Sequence, residues 1–257
     1  MQYVRMALFV ILGFIFAVPA RADERSRELV GAMIEAHGGM RRWSSSPSVS
    51  FEDHWMLPGG FGYGMQVVVE QGRRRSYAAI VGTEAMLGWD GEKTWAHHWS
   101  LPAPPRFMAQ LNYYFLNLPW LTRDPGVVLR HEGLRRLARD TTEYEAVRMT
   151  FEPGTGDTPN DYYVLYIHPE SHLLKACEYI VTYRALLPEG VEHTPPHVLV
   201  YEEYETVNEL KVPTKFTIYK GESVYAECKI RNWSFDKPFD ASRVEMPDGA
   251  VVDESQP

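Results

Sequence analysis

Only two cysteines occur in 257 residues, too few for a disulfide framework and, by themselves, for a zinc site. Basic residues are also short: 26 Lys plus Arg stand against 34 Asp plus Glu, a formal net charge of −8, which argues against a nucleic-acid binder working through a basic surface. Beyond residue 22 no apolar run approaches the length of a membrane-spanning helix. There is no Gly-x-Ser-x-Gly elbow and no phosphate loop. The glycine-rich stretch Gly59-Gly60-Phe61-Gly62-Tyr63-Gly64 links two strands and precedes no helix, so it reads as a turn. These absences leave no catalytic residue and no cofactor to assign.

The nine histidines give no metal site either. His97 and His98 are adjacent in an expected strand, so their side chains should point to opposite faces. His168 and His172 flank a turn, with no Cys or carboxylate at the spacing of a zinc motif. His37 falls at a helix end, where the helix dipole accounts for it.

The first 22 residues have the layout of a secretory signal: Arg5, an apolar run Met6 to Val18, the breaker Pro19 and the small-x-small site Ala20-Arg21-Ala22. The run of about 13 residues is shorter than the roughly 17 to 25 a transmembrane helix needs. The mature chain, 23–257, would then carry 24 basic and 34 acidic residues, net −10, with no anchor left, and would be periplasmic or secreted. In that compartment Cys177 and Cys228, each in an apolar strand, are open to two readings, a bridge or two buried thiols. Asn232-Trp233-Ser234 matches the glycosylation sequon, a tripeptide that recurs by chance.

Aromatics are abundant: 7 Trp, 15 Tyr and 11 Phe, or 13% of the chain. A helix is expected from Ser26 to His37, stopped by Gly38-Gly39, after which the apolar period changes from helical to two. Phe51 and Trp55 alternate with polar neighbours, Met65, Val67 and Val69 follow a Pro-Gly-Gly turn, and Asp90-Gly91 marks a hairpin. Residues 102 to 125 break the pattern with an aromatic helix carrying Phe107, Leu111, Phe115 and Leu118. Strands then resume to Phe235, with connections too short for parallel crossovers. The reading is mainly β: an antiparallel curved sheet of about 11 strands, a half-barrel in one domain, its concave face covered by the N-terminal helix and the inserted helix.

Several segments resemble proteins of the LolA/LolB-like fold, the lipoprotein carriers of the periplasm. They are Ala36-His37-Gly38-Gly39 with Trp43, the Trp89 to Trp95 hairpin, the Tyr166 to Lys175 turn and the Phe235 to Pro247 run. The insert Tyr113 to Trp120 with Asp124-Pro125-Gly126 looks closer to an uncharacterised DUF6503-type exported family. The resemblance implies a half-barrel with a helical lid over an apolar cavity for acyl chains or another lipid.

Residues expected to face that cavity are Phe51, Trp55, Met65, Trp95, Phe107, Leu111, Phe115 and Trp120. The partner would be a lipid or acyl chain. Asp53 alternates onto the apolar face of Phe51 and Trp55, where an unpaired acid is costly, and Arg75 is its candidate partner. Two other readings remain: an envelope interaction scaffold with a filled core, which would engage another envelope protein, and a hydrolase using Asp53, His54 or the Glu202, Glu203 and Glu205 cluster.

Overall fold

The computed structural model describes residues 23–138, 140–255 and 257. The expected signal segment, 1–22, lies outside the described residues. Helix α1 (Glu24–Ala36) begins at Asp23, whose carboxylate accepts from the Ser26 N–H at 2.7 Å and from the His131 N–H at 2.8 Å. One residue thus caps the helix and fastens it to the sheet. Leu29, Val30, Met33 and Ile34, at helical spacing, form its buried face. At Gly38, φ is +100°, and a Cβ would lie 2.3 Å from the Glu209 carbonyl, so only glycine ends α1 there. A third helix not expected from the sequence, α2 (Met40–Ser44), follows and buries Trp43.

The strands are β1 (Ser48–Met56), β2 (Gly62–Glu70), β3 (Ser76–Ile80), β4 (Met86–Trp89) and β5 (Thr94–His97). Helix α3 (Pro105–Leu121) comes next. Then come β6 (Val127–Arg136), β7 (Glu143–Phe151), β8 (Tyr163–Ile167), β9 (Leu174–Tyr179), β10 (His197–Val207), β11 (Leu210–Lys220), β12 (Ser223–Ser234) and β13 (Val251–Val252). All belong to one open, curved antiparallel sheet in the order β13-β5-β4-β3-β2-β1-β12-β11-β10-β9-β8-β7-β6. Two meanders, β1 to β5 and β6 to β12, meet where β1 pairs with β12. Among the described residues the strands number 13, not about 11; β13, a two-residue pairing on β5, is too short to leave a period in the sequence.

Apolar residues of alternate strand positions, among them Val49, Phe51, Met65, Val67 and Leu87, pack with α1 and α3 into one cluster on the concave face. On the other face, the segment after β12 lies over β3 and β4. There Phe239 meets Tyr77 with ring centroids 5.5 Å apart, and the Trp95 indole N–H donates to the Val244 carbonyl at 2.8 Å. Trp95 therefore points away from the concave side, sharing its face with Gly88, which pairs with it on β4. A Cβ at Gly88 would lie 2.5 Å from the Trp95 ring.

Cys177 and Cys228 are free and buried. They lie on β9 and β12, with β10 and β11 between them. Three strand spacings of about 4.8 Å put them near 14 Å apart, roughly twice the reach of a disulfide. His37 is buried as well. Its Nδ1 donates to the Lys211 carbonyl at 2.8 Å, and its Nε2 accepts the Leu174 N–H at 3.2 Å. Burial lowers its pKa to about 4, so the ring is a neutral strut between α1, β9 and β11 and not a charge on the helix dipole. His98 adopts φ +49°, which breaks strand alternation and brings its ring to 4.0 Å from that of His97, contrary to the expected opposite faces.

Candidate functional site

Helix α3 crosses the concave face and has two unlike halves. It starts at Pro104-Pro105, where a missing N–H costs nothing, and the Arg106 N–H is taken by Asp253 at 2.7 Å. Near its end Pro119 cannot donate to the Phe115 carbonyl. The Tyr201 hydroxyl, rising from β10, donates to that carbonyl instead, at 2.5 Å. Residues Phe115 to Leu121 are all buried. Trp120 stacks on Trp43 at 5.7 Å with the planes 5° apart, and the Trp43 indole N–H donates to Asn117 at 3.0 Å. This half is anchored core.

The other half carries Phe107, Leu111 and Tyr114 at i, i+4 and i+7, on one helix face. Beneath them is a cavity of about 480 Å³. Its walls are Trp89, Phe107, Leu111, Tyr114, Phe115, Phe151, Tyr163 and Tyr183, with Val127 and Pro125. The rings brace one another: Tyr114 lies 5.3 Å from Tyr163 and 6.5 Å from Phe151, and Phe107 lies 5.3 Å from Tyr183. Two forked ion pairs also line it. Arg74, in the β2–β3 turn, holds Asp124 just past α3 by two bonds of 2.5 Å, and Arg106 holds Asp157 by two bonds of 2.6 Å. Each pair ties one end of α3 to another part of the chain, with the geometric fixity of a bidentate contact. Asp161 accepts from the Thr182 N–H and hydroxyl and from the Thr158 hydroxyl, all at 2.7 Å, while burial raises its pKa.

Of the eight residues predicted to face a cavity, Phe107, Leu111 and Phe115 line this one. Phe51, packed 4.9 Å from Trp233, Trp55, 5.2 Å from Phe216, and Met65 sit in filled core. Trp120 lies in its stack with Trp43, and Trp95 is on the opposite face. Tyr114, at helical spacing from Phe107 and Leu111 in the expected aromatic helix, was not among the residues expected to face the cavity, yet it lines it. The sequence reading also missed Phe151, Tyr163 and Tyr183, whose convergence depends on how the sheet curves.

Asp53 is wholly buried, but its partner is Asn112 of α3, whose amide donates to Oδ2 at 2.5 Å. Arg75 instead forks onto Glu70 at 2.7 and 2.8 Å, because both lie at the β2–β3 turn. Asp53 Oδ1, the Trp55 indole N–H and Asn112 Oδ1 have no hydrogen-bond partner among the described residues. Burial pushes the Asp53 carboxyl up to about 8. His54, the next residue, points the other way and meets Glu52 at 2.6 Å. Glu52, also held by Arg231, is lowered to about 2. Asp53 and His54 therefore do not converge, and Glu202 is engaged by Lys215 and Thr217. Among the described residues no group of three His, Cys, Asp or Glu side chains is placed to hold a metal, and no helix is long and apolar enough to cross a membrane.

No family model matches the chain, and no curated protein does. Solved structures do. A LolA superfamily protein from Nitrosomonas europaea superposes with a TM-score of 0.52 over 82% of this chain and 94% of its own, at 10% identity. An outer membrane lipoprotein-sorting protein domain from Vibrio parahaemolyticus gives 0.52 over 86% and 97%, at 8% identity. The fold is LolA-like. A DUF1329 family protein from Desulfovibrio piger shares it, with a TM-score of 0.54 over 86% of this chain and 97% of its own, at 12% identity. At such identities the LolA-like likeness is one of architecture and assigns no ligand.

Proposed function

We propose that the protein is a non-enzymatic, exported binding protein of the periplasm that holds a hydrophobic ligand, a lipid or the acyl chain of a lipoprotein, between α3 and the concave sheet. The observation that carries this reading is the aromatic cavity of about 480 Å³ beneath the N-terminal half of α3. It is within the size range of small-molecule sites and combines an aromatic wall with a polar margin, in which Arg74 and Asp124, and Arg106 and Asp157, are already paired with one another. An acyl chain would gain roughly 0.8 kcal/mol for each CH₂ taken from water, so burial alone supplies the affinity. The lipoprotein-sorting domain with the same fold supports the ligand class. The aromatic insert sets the chain apart from the carriers and nearer, on this reading, to DUF6503-type exported proteins.

Native mass spectrometry of the purified protein, with lipid extraction, tests the reading. A copurified amphiphile, one per chain, is expected. An empty protein that also fails to bind fluorescent lipid probes would overturn it. That result would favour the envelope scaffold, for which the half-exposed Met56, Phe61, Val224 and Tyr225 are the supporting observation.

A further inference from the structure

The polar groups of the cavity are not equally engaged. Arg74, Arg106, Asp124 and Asp157 are satisfied in pairs, and all three hydrogen bonds to Asp161 come from threonines of the surrounding loops. The hydroxyls of Tyr114 and Tyr163 differ. Both rings line the cavity, Tyr163 is only 9% exposed, and no hydrogen bond among the described residues reaches either hydroxyl. Neither hydroxyl is sealed inside the protein: both belong to the cavity wall, so an occupant that excluded water without offering a partner would leave them unpaired at a cost, whereas one carrying an oxygen acceptor would not. Burial also holds both phenols well above their usual pKa, so they present O–H donors.

The charges around these hydroxyls restrict what the partner can be. On the cavity wall Arg74 is paired with Asp124 and Arg106 with Asp157, while no salt bridge among the described residues reaches Asp161. The remaining charge is negative. A second anion brought to this depth would meet Asp161 in a medium that screens poorly, and would lose its own hydration. An uncharged oxygen has neither penalty.

We propose that the cavity selects amphiphiles whose polar group is uncharged, an alcohol or ester oxygen hydrogen-bonded to Tyr114 and Tyr163, over the corresponding fatty-acid anions. This rests on the cavity being the ligand site, and it makes the two tyrosines specificity residues.

The test uses the full mature chain at neutral pH, with diphenylhexatriene, a pure hydrocarbon, as reporter. Displacement by 1-dodecanol, methyl dodecanoate and dodecanoate is then compared. The alcohol and the ester should bind at least tenfold tighter than the anion. Tyr114→Phe and Tyr163→Phe should each weaken the two neutral ligands about fivefold, the worth of one hydrogen bond, without weakening diphenylhexatriene binding or lowering Tm. Equal or tighter binding of dodecanoate would overturn the inference, as would phenylalanine variants that bind dodecanol like the wild type. Failure of diphenylhexatriene itself to bind would instead overturn the cavity reading on which the inference stands.

Discussion

The Tyr201 hydroxyl donates to the Phe115 carbonyl, the acceptor that Pro119 leaves without a helical donor. A side chain from β10 thus completes the backbone bonding of α3 at the point where its buried half begins, and it fixes where the helix sits on the sheet. Tyr201→Phe should cost about 1 to 3 kcal/mol in denaturant unfolding, because a buried carbonyl is stranded. In a Pro119→Ala background, which restores the helical N–H, the same change should cost clearly less. Additive costs in this double-mutant cycle would contradict the coupling.

The two halves of α3 should respond differently to truncation. Trp120→Ala removes a ring stacked on Trp43 and should cost about 3 to 5 kcal/mol of stability. Leu111→Ser, on the partly buried cavity side, should lower Tm less while weakening diphenylhexatriene binding several-fold. Thermal melts and probe titration of the two variants separate anchor from lid.

Asp53 makes stability depend on pH in a fixed direction. Its folded pKa, about 8, lies above the unfolded value of about 3.9. Between these values the unfolded chain has lost the proton that the folded chain keeps, so the Asp53 contribution to stability falls as pH rises from about 4 to about 8 and levels off beyond, while His37, lowered to about 4, acts in the opposite sense below about 6.5. The charged and titratable groups acting with Asp53 are Glu52 on β1, Tyr63 on β2 and Cys228 on β12. Asp53→Asn should remove this slope and raise stability at pH 8 by at least about 1 kcal/mol, seen in urea unfolding across the range. Unchanged or lower stability at pH 8 would contradict the assignment.

The free cysteines predict that reductant leaves Tm unchanged and that two thiols react after unfolding, with none reacting in the native protein. A reductant-sensitive Tm would contradict the separation of β9 from β12.

The half-barrel was readable from local pattern: alternation in β1 and β2, the Asp90-Gly91 turn, and the aromatic helix that becomes α3. The burial of Asp53 beside Phe51 and Trp55 was also readable, because period two alone puts them on one face. Its partner was not, since Asn112 is brought to it only when α3 crosses the sheet. Trp95 went astray because period two relates residues within one strand and does not say which face is concave. The cavity was half legible: Phe107, Leu111 and Phe115 lie on the helix, where spacing is informative, whereas Phe151, Tyr163 and Tyr183 come from β7, β8 and the chain after β9, and meet only through tertiary curvature.

The most direct test is to soak crystals of residues 23–257 with 12-bromododecan-1-ol and measure anomalous scattering from bromine. The account predicts one bromine site, with the chain lying beneath Phe107, Leu111 and Tyr114. Bromine found only on the protein surface, with the cavity empty, would contradict it.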